Sequence, residues 1–87
     1  MSVVETGIAV TVRYFAGARA AAGVDTEHRT ATSLAELVRS LAADHGDRLT
    51  RVLAASSFLV DGAQPTDPHA RLAPGTVIDV LPPFAGG

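Results

Sequence analysis

The clearest element of the sequence is the stretch Ser33-Leu34-Ala35-Glu36-Leu37-Val38-Arg39-Ser40-Leu41-Ala42. Ser33 and Glu36 have the spacing of a capping box, in which the serine hydroxyl accepts from the Glu36 amide and the glutamate reaches back. Gly46 is expected to end the helix. Apolar residues recur along it with helical spacing, at Leu34, Leu37, Val38, Leu41 and Ala42. The stretch therefore predicts a main helix with one apolar face for packing on a sheet.

Two strands are predicted before this helix. Residues 8–14 alternate apolar and polar side chains and are rich in β-branched residues, which indicates a strand with one buried face. Residues 25–30 are more polar and are predicted to form a strand near an edge. Between the two, the alanine run in 15–23 favours a short helical turn that stops at Gly23.

After the main helix the pattern predicts a short helix and two more strands. Asp47 is expected to cap the short helix, whose inward residues are Leu49, Val52 and Leu53. Residues 57–60 read as a strand that turns at Asp61-Gly62. The last predicted strand is 76–81, preceded by a loop over 64–71 and a turn at Pro74-Gly75.

This order predicts an α+β fold in which a mixed sheet carries one main helix on one face. The first and last strands are the most apolar, so they should be central. The pattern is similar to the β-grasp, or ubiquitin-like, fold. We predict a single domain over 1–87, in which 1–6 are disordered and 82–87 form a protruding, flexible functional tail.

Composition argues against several classes of function. The chain has no cysteine, so it has no disulfide, thiolate metal site or thiol nucleophile. Three histidines lack metal-ligand spacing, so we expect no metal site. A net charge of −2 disfavours nucleic acid as a partner. The sequence has no long apolar run, so no membrane span is predicted. Residues 1–7 do not resemble a signal peptide, so a cytoplasmic protein is expected.

The chain ends in Leu81-Pro82-Pro83-Phe84-Ala85-Gly86-Gly87. The two prolines cannot extend a sheet ladder and favour a stiff, extended exit. Phe84 adds a large apolar ring, while Gly86 and Gly87 lack a Cβ and so let the terminal carboxylate enter a narrow slot. A carboxylate is a poor electrophile, but conversion to an acyl adenylate allows a sulfur nucleophile to form a thiocarboxylate. We therefore predict that the reactive group is the Gly87 carboxylate.

Three stretches carry a resemblance to a known family. They are 12–16 with Arg19 and Gly23, then Leu72 with Gly75, Val77 and Val80, and finally the ending 82–87. Together they resemble the small subunit of molybdopterin synthase, the MoaD-type sulfur carriers. The resemblance implies that a MoeB-type enzyme uses ATP to adenylate Gly87, that a sulfurtransferase converts it to the thiocarboxylate, and that the chain binds no cofactor itself.

The resemblance also implies a partner and a set of contact residues. A MoaE-type large subunit would bind the carrier, as a heterotetramer, while the tail donates sulfur to cyclic pyranopterin monophosphate. The chain would then be the sulfur-donating subunit of a synthase and not catalytic alone. Phe15 and Leu81 would form an apolar docking face, and Arg19 a polar contact near the tail. The implied partner-binding residues are Phe15, Arg19, Leu81, Pro82, Pro83, Phe84 and Ala85.

Three other functions stay open at this point. One is sulfur carriage for thiazole or cysteine synthesis, because those carriers share the fold and the diglycine. Another is a ubiquitin-like modifier joined to lysines of target proteins. The third is a plain interaction module, which would leave the diproline and the terminal diglycine unexplained.

Overall fold

The computed structural model describes residues 7–83. Within them the elements follow in the order β1 (Ile8–Tyr14), α1 (Ala16–Ala22), β2 (Thr26–Ala31), α2 (Leu34–His45), α3 (Asp47–Ala55), β3 (Ser57–Val60) and β4 (Val77–Leu81). Each predicted strand and helix is confirmed, with bounds that shift by one or two residues. The predictions for 1–6 and for 84–87 lie outside the described residues.

The four strands form one mixed sheet in the order β2-β1-β4-β3. β1 runs parallel to β4 and antiparallel to β2, and β3 runs antiparallel to β4. The first and last strands are therefore central, and the polar β2 lies at an edge, both as predicted. This is the α+β, β-grasp architecture that the element order indicates.

The core lies between the sheet and its helices. Every second side chain of β1 is buried there, and Ile78 and Val80 of β4 are fully buried beside them. The apolar face of α2 packs on this layer with Leu34, Leu37 and Leu41 buried. Complete burial of one such side chain contributes about 1.5–3 kcal/mol, so the central strands are the most firmly held part of the sheet.

The capping box of α2 is present, with one change in its partner. The Ser33 hydroxyl accepts from the Glu36 amide at 3.1 Å. The Glu36 carboxylate reaches one residue further back, where Oε1 accepts from the Thr32 amide at 2.5 Å and from its hydroxyl at 2.8 Å. These hydrogen bonds from Thr32 lower the pKa of Glu36, because they favour the ionised form.

The prediction that Asp47 caps the short helix is wrong. The N-cap of α3 is Gly46, and no side chain provides a capping hydrogen bond. Gly46 has a φ of +89°, a conformation that favours glycine, and this lets one residue end α2 and start α3. Asp47 is instead the first helical residue, where its charge complements the positive end of the helix dipole. The inward residues are confirmed, since Leu49 and Leu53 are buried and Val52 is partly buried.

A polar cluster ties the end of α2 to β2. Glu27 lies at its centre and accepts from the Tyr14 hydroxyl at 2.5 Å, and its Oε2 lies 2.7 Å from Nε2 of His45. Arg29 reaches Glu27 at 3.3 Å and Asp44 at 2.5 Å. Burial would raise the pKa of Glu27, but hydrogen bonds from Tyr14 and His45 and the charges of His45 and Arg29 outweigh burial and lower it.

Candidate functional site

The tail leaves the sheet beside the end of β1. Because β1 and β4 are parallel and in register at Tyr14 and Val80, the residues that follow them emerge at the same end of the sheet. The Phe15 amide donates to the Val80 carbonyl oxygen at 3.2 Å. Phe15 is also the N-cap of α1, with an extended backbone. The structure therefore places Phe15 directly beside the strand that leads into the tail.

The strand register shows which side chains share the face of the sheet away from the helices. Asp79 is paired with Arg13 on one side and with Leu59 on the other. Leu81 lies two residues beyond Asp79 in β4, so strand alternation puts it on the same face. We call this surface, formed by Arg13, Phe15, Leu59, Asp79 and Leu81, the open face.

The open face contains the two residues predicted for docking and one that the sequence did not reveal. Phe15 is 39% exposed, one of two large hydrophobic residues this exposed among residues 7–83. Leu59 was not predicted as a site residue. Its neighbours Phe58 and Val60 pack against the core, which leaves Leu59 on the other side of the strand. The alternation within 57–60 was the signal that could have found it.

An ion pair at the centre of the open face lies beside the ring of Phe15. Arg13 Nε donates to Asp79 Oδ1 at 2.6 Å and Nη2 donates to Oδ2 at 2.9 Å, a bidentate pair. The Asp79 side chain is only 9% exposed, whereas that of Arg13 is 51% exposed. The hydrogen bond and the charge of Asp79 raise the pKa of Arg13. The guanidinium carbon also lies 5.8 Å from the centroid of the Phe15 ring, within cation–π range.

The predicted polar contact Arg19 lies on the exposed side of α1. Its Nε is 3.6 Å from Asp25 Oδ1, and both side chains are more than half exposed. Exposed pairs of this kind contribute about 0–1 kcal/mol. Arg19 also accepts the Gly23 amide at its carbonyl oxygen, at 2.8 Å, which closes α1 at the predicted glycine. Its side chain is therefore accessible to a partner.

A groove lies beside the base of the tail, on the helix side of the sheet. Its volume is about 390 Å³ and it is lined by Gly17, Arg48, Arg51, Val52, Ala55, Pro82 and Pro83. Pro82 is half-buried and Pro83 is exposed, and both belong to the lining. We call this the tail-base groove. Of the other predicted tail residues, Phe84, Ala85, Gly86 and Gly87 lie outside the described residues and stay predictions.

Residues 7–83 contain no group of three His, Cys, Asp or Glu side chains that could hold a metal ion. None of the helices in this range is long and apolar enough to cross a membrane. His28 lies beside Thr11, with Nδ1 3.2 Å from the threonine hydroxyl, while His45 lies in the Glu27 cluster.

The sheet order, the helix packing and the tail at the end of a central strand define a ubiquitin-like β-grasp protein. Residues 12–87 match the sequence model of the ThiS family. The chain belongs to this family, the ThiS/MoaD group of sulfur carriers. Among curated protein sequences, none matches the chain.

Solved structures resemble the chain over nearly its whole length. A Pyrococcus furiosus protein assigned as molybdopterin converting factor subunit 1 is 25% identical, with a TM-score of 0.79, over 90% of this chain and 100% of its own. A Helicobacter pylori complex of subunits 1 and 2 of molybdopterin-converting factor matches with 25% identity and a TM-score of 0.69, over 92% of this chain and 100% of the matched one. Small archaeal modifier protein 1 from Methanosarcina acetivorans, at 22% identity, a TM-score of 0.80 and coverage of 92% and 97%, shares the fold.

Proposed function

We propose that this chain is the sulfur-carrier subunit of a molybdopterin synthase, and that it acts in the cytoplasm. The observation that carries the proposal is the place where the diproline leaves the sheet. The diproline leaves a central strand next to Phe15 and Leu81, in a chain whose structural relatives include subunit 1 of molybdopterin-converting factor. A rigid body with an anchoring face at the root of its tail suits a carrier that must dock before its end can react.

The proposed chemistry takes place on the Gly87 carboxylate. A MoeB-type enzyme catalyses attack of this carboxylate on the α-phosphorus of ATP, so that pyrophosphate leaves and an acyl adenylate forms. A sulfurtransferase then supplies sulfur at the sulfide level, which attacks the acyl carbon; the bond from this carbon to the phosphate oxygen breaks, AMP leaves and the thiocarboxylate forms. Its sulfur passes to cyclic pyranopterin monophosphate, and hydrolysis returns the carboxylate. In this cycle Gly86 provides clearance, and the chain holds no cofactor of its own.

The tail is long enough for its end to reach into a partner protein. Six residues from Pro82 to Gly87 span at most about 20 Å when extended. The partner's active site can therefore lie well inside the partner while the folded body docks outside. Phe84 is the proposed anchor within the tail, followed by the small residue Ala85.

The proposed main partner is a MoaE-type large subunit, in a heterotetramer. The Helicobacter pylori relative is seen in complex with subunit 2 of its converting factor. On this chain the open face supplies features that suit a protein interface. They are an exposed aromatic ring, leucines of two adjacent strands and a guanidinium held by an ion pair. Aromatic and arginine side chains dominate many protein interfaces. Arg19 is a proposed polar contact at the rim, used by the activating enzyme.

A second candidate is sulfur carriage for another pathway, such as thiazole or cysteine synthesis. The family match over 12–87 supports it equally, because the match does not distinguish the acceptor of the sulfur. The likeness to an archaeal modifier protein, at 22% identity, rests on the fold alone and does not favour protein conjugation.

Reconstitution of sulfur transfer tests the pathway. The chain, bearing its thiocarboxylate, is mixed with a MoaE-type large subunit from the same genome and with cyclic pyranopterin monophosphate. We expect molybdopterin to form in proportion to the carrier added. A thiocarboxylated chain that binds the large subunit but yields no molybdopterin would remove this acceptor and leave the second candidate.

A further inference from the structure

We propose that the tail-base groove is a second contact surface, and that it binds an acidic segment with an apolar side chain from the MoaE-type large subunit. This inference rests on the proposed function, because it concerns the same partner. It adds a contact on the helix side of the tail to the open face on the other side.

The shape and lining of the groove suit an apolar side chain. Val52 and Ala55 of α3, the two prolines and Gly17 all line it. A Cβ built at Gly17 meets nothing within 4 Å. Among residues 7–83, the packing therefore leaves the space beside Gly17 unfilled.

The two arginines at the groove have no partner within the described chain. Arg13, Arg19 and Arg29 each lie within 4 Å of a carboxylate. Arg48 and Arg51 form no such pair with any residue of 7–83, although Asp47 is their neighbour in α3. Their three-residue spacing puts them on the same side of the helix. The groove thus presents two positive charges beside its apolar lining residues, in a chain whose net charge is −2.

The position of the groove determines what kind of segment can cover it. Pro82 and Pro83 are part of its lining, so a protein that encloses the start of the tail also covers the groove. Removing a guanidinium from water without an anionic partner is unfavourable. A partner that covers this region must therefore place carboxylates opposite Arg48 and Arg51, with an apolar side chain in the groove. Complementary charges of this kind set the association rate and its dependence on salt.

Charge reversal tests the proposed contact. Affinity for the MoaE-type large subunit is measured at low and at physiological salt for the full chain, for Arg48→Glu/Arg51→Glu and for the control Arg71→Glu. Arg71 is exposed and precedes Leu72, whose amide bonds to Thr32 at the end of the sheet away from the tail. We expect the double variant to lose about tenfold or more in affinity for the large subunit and to show a weaker salt dependence. The control should stay within about twofold of the unchanged chain.

A substitution within the groove supplies an independent measurement. Gly17→Phe places a ring in the open space, whereas Gly17→Ala adds only a methyl group that meets no neighbour. We expect Gly17→Phe to weaken the same partner's binding and Gly17→Ala to leave it unchanged. Circular dichroism and thermal unfolding establish that both variants are folded.

The outcomes separate the inference from the proposed function. If the unchanged chain does not bind the large subunit, the proposed function and this inference both fail. If it binds, but the double charge reversal retains full affinity and salt dependence, the inference fails alone. It also fails if amide shifts of Gly17, Val52 and Ala55 differ between the full chain and one ending at Pro83, since the chain's own tail would then occupy the groove.

Discussion

The amide of Phe15 donates to the carbonyl oxygen of Val80 at 3.2 Å, so the residue after β1 is tied to the strand two residues before the diproline. The neighbouring pair Arg13 and Asp79 joins the same two strands through two hydrogen bonds. Together these contacts hold β4 against β1 just before the diproline. They also keep an aromatic side chain beside that point.

The open face should govern partner binding without governing the fold. Phe15→Asp is expected to lower affinity for the large subunit by at least about tenfold, or about 1.4 kcal/mol, because it places a charge in a desolvated contact. Val24→Asp is the matched control, since Val24 is 42% exposed but lies in the segment between α1 and β2. Equal affinities of the two variants, measured by titration calorimetry, would remove Phe15 from the interface.

Leu59 is expected to act with Phe15 because it lies on the same face. Leu59→Asp should weaken binding of the large subunit, while the fold persists because the side chain points away from the core. Leu59→Met retains apolar contact and should bind nearly as the unchanged chain does. Binding assays at fixed salt measure both, and a Leu59→Asp variant with unchanged affinity would restrict the interface to the region of Phe15 and Leu81.

The ion pair of Arg13 and Asp79 on the open face is expected to stabilise the folded chain. Arg13→Ala leaves the nearly buried Asp79 carboxylate without its bidentate partner, so thermal unfolding should begin at a lower temperature. Arg13→Lys keeps the charge but not the paired geometry. Its midpoint of thermal unfolding should therefore fall between those of the unchanged chain and Arg13→Ala. Arg39→Ala, at an exposed position of α2, serves as the control. A midpoint for Arg13→Ala equal to that of the control would show that Asp79 is satisfied without Arg13.

Stability should decrease at acid pH partly through Glu27. Its pKa is lower in the folded chain than the ordinary value of 4.5. The ionised form is thus favoured by folding, and its contribution is fully present above pH 4.5 and is lost as pH falls through the lowered pKa. Glu27→Gln should cost about 1 kcal/mol at neutral pH and should flatten the decrease below pH 4.5. Urea unfolding at several pH values measures this, and an equally steep decrease in the variant would assign it to other carboxylates, such as Glu36.

Local patterns were enough to predict the elements and much of their arrangement. The heptad-like spacing from Leu34 to Ala42 predicts α2, and the alternation in 8–14 predicts β1 together with its buried face. The apolar character of the first and last strands predicts that they are central. Each of these features depends on side-chain period and hydrophobicity, which are properties of short segments.

The missed features depend on register between distant strands. The pairing of Arg13 with Asp79 spans 66 positions and exists because β1 and β4 align at those residues. Leu59 joins the open face through its pairing with Asp79. The tail-base groove forms where α1, α3 and the diproline meet, so no single segment reveals it. The wrong prediction at Asp47 has a different, local cause. Gly46 takes the N-cap position with no side-chain hydrogen bond, so the aspartate is the first residue inside the helix.

Deletion of the diglycine should separate carriage from folding. A chain that ends at Ala85 retains every residue of the described sheet and helices, so its thermal midpoint and its circular dichroism should match those of the full chain. It should nevertheless fail to support molybdopterin formation. Retained activity in this truncated chain would show that the reactive group lies elsewhere.

The most direct test of sulfur carriage is the intact mass of the chain after incubation with a MoeB-type enzyme, ATP and a sulfur donor. We predict a mass increase that matches the replacement of one oxygen by sulfur, located by fragmentation on Gly87 and absent from the chain that ends at Ala85. An unchanged mass, under conditions in which a known carrier is converted, would contradict the account.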